Sequence, residues 1–315
     1  MAEIDYESEG FPAGAPVANG PGRLAVSWDD ILWSALTVGR PNRSAVFQHG
    51  DSSLFEAIFR LSLVRMALEQ AGPRATRLRR TDAARTLDPT EKGAVNYFIG
   101  MTVCKMFADR LLAAPWMLHL DVFRPLLNPV LTGRSRPDLI GQRTPSGQWI
   151  VLECKGRISV PSSAARTKAK QQALRCVSVS GSPAQFHIGG IAYLKKDVLQ
   201  FHWRDPKPQR NEGGVPIEID FDTDLWRYHY ALVLALIKAQ GHAPIVGSVD
   251  VKVSAHPDVL RLLLEGRWAE AKGWCDHNHG VLQAEGFRRD GIKLVAGPSW
   301  LQPFDEGFGQ NQVRK

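Results

Sequence analysis

The segment QWIVLECKGR, residues 148–157, constrains the fold more than any other. Trp149, Ile150, Val151 and Leu152 form an unbroken apolar run, which a strand carries when both of its faces are covered. That requires a sheet with a layer on each side, and the neighbouring segments supply one. WMLHLDVF (116–123) and SRPDLIGQR (135–143) read as strands, the second joined to QWIVLECKGR through the turn-forming TPSG. Ahead of them a helix is predicted from about Asp88 to Leu112, with Asp88 as cap, Pro89 in the first position and Glu91 three residues after the cap. Its apolar face (Val95, Phe98, Ile99, Val103, Met106, Phe107, Leu111) packs most simply on a sheet. Behind QWIVLECKGR come a helix, SSAARTKAKQQALRCV, and two strands, FHIGGIAYL and VLQFHWR, joined at Lys195-Lys196-Asp197. The order helix, three strands, helix, two strands predicts an α/β fold with a mixed central sheet flanked by helices.

Around this core (87–210) the chain divides into three further regions. Residues 1–22 are rich in Gly, Pro and acidic residues and predict a disordered tail. Residues 23–86 read as a helical N-terminal region, in which Leu54, Ile58, Leu61, Val64 and Leu68 recur at helical spacing. It ends in PRATRLRRTDAAR, either a solvated linker or a strip that contacts phosphates. Residues 211–315 read as an α+β C-terminal region: helices over DTDLWRYHYALVLALIKAQG and HPDVLRLLLEGRWAEAKGWC, then a hairpin over VLQAEGFRRDGIKLVAG turning at Asp290-Gly291. The sequence contains no evident internal repeat.

Lys and Arg (39) outnumber Asp and Glu (32), for a formal charge of +7, which suits a polyanionic partner such as nucleic acid. Four cysteines stand without CxxC spacing, as in a reducing cytoplasmic compartment. The acidic N-terminus lacks the architecture of a secretory signal, and no apolar run reaches membrane-spanning length.

The hairpin RPDLIGQRTPSGQWIVLECKGR also concentrates the chemistry. A turn between Pro145 and Ser146 makes strand partners sum to 291, so Asp138 faces Glu153 with Cβ atoms about 5 Å apart. Two carboxylates so placed repel, and a hard divalent cation such as Mg²⁺ or Mn²⁺ removes the penalty. Lys155, two residues on, shares the face of Glu153, while Cys154 points the other way and keeps its backbone carbonyl available as a further metal ligand. Gly156 is expected to let a bulky ligand approach the backbone.

These residues resemble the PD-(D/E)xK nuclease superfamily: Pro137-Asp138, then Glu153-Cys154-Lys155, with a hairpin between and a helix on each side, over roughly residues 88–206. The resemblance implies a restriction-endonuclease-like core, with helical additions at both ends, that hydrolyses phosphodiester bonds. Asp138 and Glu153 would hold one or two Mg²⁺, with Mn²⁺ as substitute, and Lys155 would orient or help deprotonate the attacking water. Some members add an acidic residue from the preceding helix; Glu91 is the candidate here, although helix capping already accounts for it, and Glu56 is a weaker one. In the RecB-like branch a Gln or Lys of the following helix serves the site. Lys170 and Gln172 fit that description but diverge on a helix, so one or the other is expected. Arg136, Arg157 and Lys170 are the candidate nucleic-acid contacts. DNA is the expected substrate ahead of RNA, in restriction, repair or antiviral defence, with a homodimer or an activating partner protein in view.

Other signals are weaker. Cys275-Asp276-His277-Asn278-His279 resembles a metal cluster but has no second ligand pair, and reads as a polar loop. Trp203, Trp226, Trp274 and Trp300 read as core residues before base-stacking ones. Gly189-Gly190 falls inside a strand and makes no phosphate loop. Two alternatives stay open: a nucleic-acid-binding protein with this fold and no catalysis, and an interaction module in which Glu153 and Lys155 form a structural ion pair.

Overall fold

The structure, a computed structural model, describes residues 1–38, 51–70, 75–120, 136–205, 217–219, 221–240 and 244–302. The chain opens with β1 (Ala2–Glu9) and β2 (Gly20–Val26), an antiparallel pair. The expected disordered tail over 1–22 is thereby corrected. Along β1, Ala2, Ile4 and Ser8 are buried while Glu3, Asp5, Glu7 and Glu9 take the other face, the period-2 pattern of a strand.

Then follow α1 (Trp28–Thr37), α2 (Asp51–Ala67), β3 (Leu68–Gln70), β4 (Leu78–Arg80), α3 (Asp82–Thr86) and α4 (Pro89–Leu112). The stripe Leu54, Ile58, Leu61, Val64, Leu68 is buried as its spacing predicts. α4 starts where expected, with the Asp88 side chain accepting hydrogen bonds from the Thr90 and Glu91 amides.

One side of the sheet is the meander β5 (Trp116–His119), β6 (Leu139–Gln142) and β7 (Trp149–Arg157), antiparallel throughout, with β5 at the edge. α5 (Ser163–Ala173) follows, then the short strands β8 (Cys176–Val179) and β9 (Ser182–Pro183). α5 is shorter than its sequence suggested, because Cys176 already belongs to β8. β10 (Phe186–Lys195) pairs parallel to β7, and β11 (Val198–Arg204) returns antiparallel to β10. β1 completes the central arrangement by pairing parallel to β11, with Asp5 opposite Gln200. The described residues give a mixed sheet of nine strands in the order β2-β1-β11-β10-β7-β6-β5, with β4 also pairing β11 and β3 pairing β4. The N-terminal segments therefore belong to the same sheet as the predicted core.

Helices cover both faces. α4 lies on one, where Phe107 packs on Tyr6, Phe201 and Trp203. It comes close because Gly156 has no side chain: a Cβ there would stand 1.6 Å from the carbonyl oxygen of Asn96. The room at Gly156 thus admits α4, which corrects the expectation that it admits a ligand. On the opposite face α5 approaches Gly189 of β10, where a Cβ would meet the Lys170 amide at 2.7 Å.

The remaining elements are β12 (Ile217–Ile219), which joins β8 and β9, then α6 (Arg227–Ala239), α7 (Pro244–Gly247), β13 (Val251–Ala255), α8 (Pro257–Leu264), α9 (Trp268–His277), α10 (His279–Ala284) and β14 (Ile292–Ala296). The helix predicted over HPDVLRLLLEGRWAEAKGWC divides into α8 and α9 at Gly266, whose φ of +75° an L side chain rarely adopts. The predicted hairpin at Asp290-Gly291 is also corrected: β14 pairs with β13, and Leu282 before it is helical. Among the described residues no helix is long and apolar enough to cross a membrane.

Candidate active site

The β6–β7 ladder has Leu139 opposite Leu152 and Gln142 opposite Trp149, the register in which partners sum to 291. Asp138 stands one residue beyond the last ladder pair. Its amide donates to the Leu152 carbonyl (3.1 Å), its carbonyl accepts from Leu120 (2.8 Å), and its Oδ2 accepts from the Cys154 amide at 2.8 Å. The carboxylate therefore lies over β7 beside Glu153.

Glu153 is fully buried, and its side chain points away from α4, as strand alternation from Cys154 requires. The Lys155 ammonium touches its Oε1, yet neither carboxylate oxygen has a well-formed hydrogen bond among the described residues. Burial, and after it the charge of Asp138, pushes the Glu153 carboxyl up to about 8, against the opposing pull of Lys155. Burial alone would lower the Lys155 ammonium, but Glu153 and Asp138 outweigh it and hold it above its ordinary value. Lys155 remains partly open to solvent. Two crowded carboxyls, one under-coordinated and reluctant to ionise, form a donor set that a divalent cation would complete.

The Cys154 side chain is buried on the α4 side of the sheet, against Cys104, where burial and Cys104 raise its thiol well above the ordinary value. Its backbone amide is already bound to Asp138, so the carbonyl is what it could offer a metal.

α5 separates the two candidates on the following helix. Lys170 is buried, its Nζ held by Asp205 (2.8 Å) and by the His187 carbonyl (2.5 Å). A side chain so enclosed cannot contact a nucleic acid, which corrects its assignment to that role. Gln172, two residues on, lies about 200° around α5 from Lys170, and its Oε1 is buried without a hydrogen-bond partner among the described residues. Arg157 is exposed at the end of β7, and Arg136 is half-buried before Asp138.

The acidic candidates on the preceding helices do not join the site. Glu91 is exposed in the first turn of α4, on the face of the sheet opposite Glu153. Glu56 pairs with Arg60 at 2.8 Å. The Cys275–His279 segment holds structure: Asp276 accepts from Thr144 and Lys272, Cys275 is buried, and His277 bonds the Gly273 carbonyl. Trp203, Trp226 and Trp300 are buried, and the half-buried Trp274 stacks on His256.

Comparison of the chain with protein-family models, with curated proteins and with solved structures finds no match.

One group on the same face was missed in the sequence. Cross-strand pairing puts Glu9, Arg204, Gly189 and Glu153 in one row, and Glu7, His202, Ile191 and Lys155 in the next. Glu7, Glu9 and His202 bring their ligand atoms within 4.8 Å of one another. Arg166 of α5 reaches Glu9 at 3.1 Å and Glu7 at 3.8 Å, and Arg204 reaches Glu9 at 3.6 Å. Two guanidiniums thus already balance the two carboxylates, which makes this cluster a brace between β1, β11 and α5 more than a vacant cation site. Burial tends to raise Glu9, but His202, Arg204 and Arg166 together hold its carboxyl below the usual range. The signal that could have found it was the alternation of acidic and inward-facing residues in AEIDYESE.

Proposed function

We propose that the protein is a Mg²⁺-dependent nuclease with a restriction-endonuclease-like core, acting on DNA. The reading rests on the topology of helix, three-strand meander, helix and parallel strand, and above all on one observation: a fully buried Glu153, short of hydrogen bonds, crowded by Asp138 and touched by Lys155. A buried carboxyl crowded by a second one, with the Lys155 ammonium alone to offset both, is costly to ionise unless a further cation completes the group.

Asp138 and Glu153 would hold the ion, with the Cys154 carbonyl as a further donor. Bound there, Mg²⁺ or Mn²⁺ would supply Lewis acidity toward a phosphate oxygen and lower the pKa of a coordinated water. Lys155, partly exposed beside these carboxylates, would then be released from Glu153 to position the attacking water and to offset the charge that develops on the phosphate. Asp138 is kept in place by the Cys154 amide, and Gln172 would present its amide to the water or the phosphate from the α5 side. Arg136 and Arg157 flank the site and would contact the adjoining backbone.

The test is direct. Purified protein is incubated with supercoiled plasmid, linear duplex and single strands, in Mg²⁺, Mn²⁺ or EDTA, beside Asp138→Ala and Lys155→Ala. Metal-dependent cleavage lost in both variants is the expected result. Wild-type protein inert on every substrate, together with Mg²⁺ binding that survives Asp138→Ala, would overturn the reading and leave Glu153–Lys155 as a structural ion pair.

A further inference from the structure

The end of the sheet at which β7 and β10 finish carries basic side chains that the Asp138, Glu153, Lys155 arrangement does not use. Pairing places them. Arg79 of β4 lies opposite Val198, and Val198 lies opposite Lys195, so Arg79 and Lys195 share a row across three strands. Lys195 is four residues past Ile191, the partner of Lys155 in β7, or roughly 13 Å along the strand direction. Arg157 falls halfway, opposite Tyr193. Lys92, in the first turn of α4, lies at this end over the opposite face of the sheet, lining a pocket with Arg80, Gly156, Arg157 and Tyr193.

Among the described residues the side chains of Arg79, Lys92, Arg157, Lys195 and Lys196 make no ion pair or hydrogen bond, and all but the half-buried Lys92 are exposed. The acids nearby are mostly spoken for. Asp197 holds Arg80, Asp82 holds Arg85, and Asp5 holds Arg77 and Arg23. Glu69, the cross-strand neighbour of Arg79, and Glu91, beside Lys92, border the group and leave it net positive. A run of unpaired cations that starts two residues beyond the candidate catalytic lysine, at Arg157, is complementary to a repeating anion.

The turn at its far end supports the same conclusion. Lys196 and Asp197 form a two-residue hairpin connection with φ of +52° and +62°, a conformation that Asn and Gly adopt with least strain. Asp197 is tied down: its carbonyl accepts the Arg80 amide at 2.8 Å and its Oδ1 accepts from the Arg80 guanidinium at 2.6 Å. Lys195 and Lys196 are therefore carried on a clamped turn, and a lysine stands where a glycine would fit with less strain. Strain of this kind points to a use for the side chain.

We infer that Arg79, Lys195 and Lys196, with Arg157, form a strip that holds the phosphate backbone of the nucleic acid on one side of the scissile bond. The inference rests on the nuclease reading for the identity of the polyanion.

Binding is measured on the full chain carrying Asp138→Asn, so that cleavage does not intervene, with a short duplex and a single strand of equal length across a salt series. The triple variant Arg79→Gln/Lys195→Gln/Lys196→Gln is compared with its parent. Loss of three duplex phosphate contacts should flatten the slope of log affinity against log salt by roughly 2.7 and weaken binding at least about tenfold near 0.1 M salt. With Asp138 intact, the triple variant should raise KM and leave kcat at saturating substrate unchanged. Lys196→Gly separates binding from folding, because it should raise the thermal midpoint while lowering affinity. An unchanged salt slope in a triple variant of normal stability overturns the strip. So does a parent that binds neither nucleic acid at low salt, which would assign these cations to an acidic protein partner. Strip-dependent binding without metal-dependent cleavage by the wild type overturns the nuclease reading and leaves the strip standing; cleavage indifferent to the triple variant does the reverse.

Discussion

The carboxylate of Asp138 accepts a hydrogen bond from the backbone amide of Cys154 at 2.8 Å, so the residue proposed to bind metal also closes the end of the β6–β7 ladder. The two roles separate by substitution. Asp138→Asn keeps an acceptor for that amide and should lose metal binding and cleavage with little change in stability. Asp138→Ala strands the amide and should cost about 1–3 kcal/mol in addition. Calorimetric Mg²⁺ titration beside chemical denaturation checks both; equal stability losses in the two variants would refute the amide's dependence on Asp138.

Glu153 predicts a pH dependence of known sign. Its folded-state value of about 8 lies above the ordinary 4.5, so it favours the folded chain when protonated. That contribution is complete below about pH 4.5 and is lost as pH rises through about 8. In EDTA, Glu153→Gln should therefore gain on the wild type as pH rises, by an order of 5 kcal/mol across the interval. Mg²⁺ should stabilise the wild type more at pH 8 than at pH 6. Thermal melts that stay parallel at every pH would contradict this.

Gly156→Ala tests the closeness of α4. A methyl group cannot share space with an oxygen 1.6 Å away, so the helix must move off β7, beside Lys155. A loss of about 3 kcal/mol or more is expected, together with a fall in cleavage, since Lys155 shifts too. Unchanged denaturation midpoints would mean that α4 does not pack there.

Lys170 and Gln172 should behave oppositely. Lys170→Ala leaves Asp205 buried and uncompensated, at a cost of about 3–5 kcal/mol, while the folded fraction keeps its affinity for nucleic acid. Gln172→Ala should lower turnover with the melting temperature nearly unchanged. Stability curves and steady-state kinetics on both variants distinguish them, and a reversal of roles would show that the two flanks of α5 have been exchanged.

Much of this was legible in the sequence where one local rule acts alone. The register of β6 on β7 follows from turn residues and a two-residue period, and the start of α4 follows from Asp88 and Pro89. Legibility failed where a partner far along the chain decides the outcome. The alternation in AEIDYESE was overshadowed by the Gly and Pro that follow it, and what makes it a strand is β11. The Asp290-Gly291 turn is real, with Gly291 at φ +76°, but the strand after it pairs with β13 across three intervening helices. Asp290 itself is buried and bound to Trp33 and His229, a contact no local pattern announces. The choice between Lys170 and Gln172 likewise depended on Asp205.

The pairing of Asp5 with Gln200 closes a loop of nearly the whole sheet, and it has a kinetic cost. Until β11 exists and lies flat on β10, β1 has only β2 to hold, and a lone two-stranded ribbon is marginal in water. Docking of β1 should therefore be a late event in folding, and until then β11 presents an open edge carrying Phe201, Trp203 and His202. Removal of the first nine residues as though they were a dispensable tail would make that open edge permanent, and such a trimmed protein should aggregate through it.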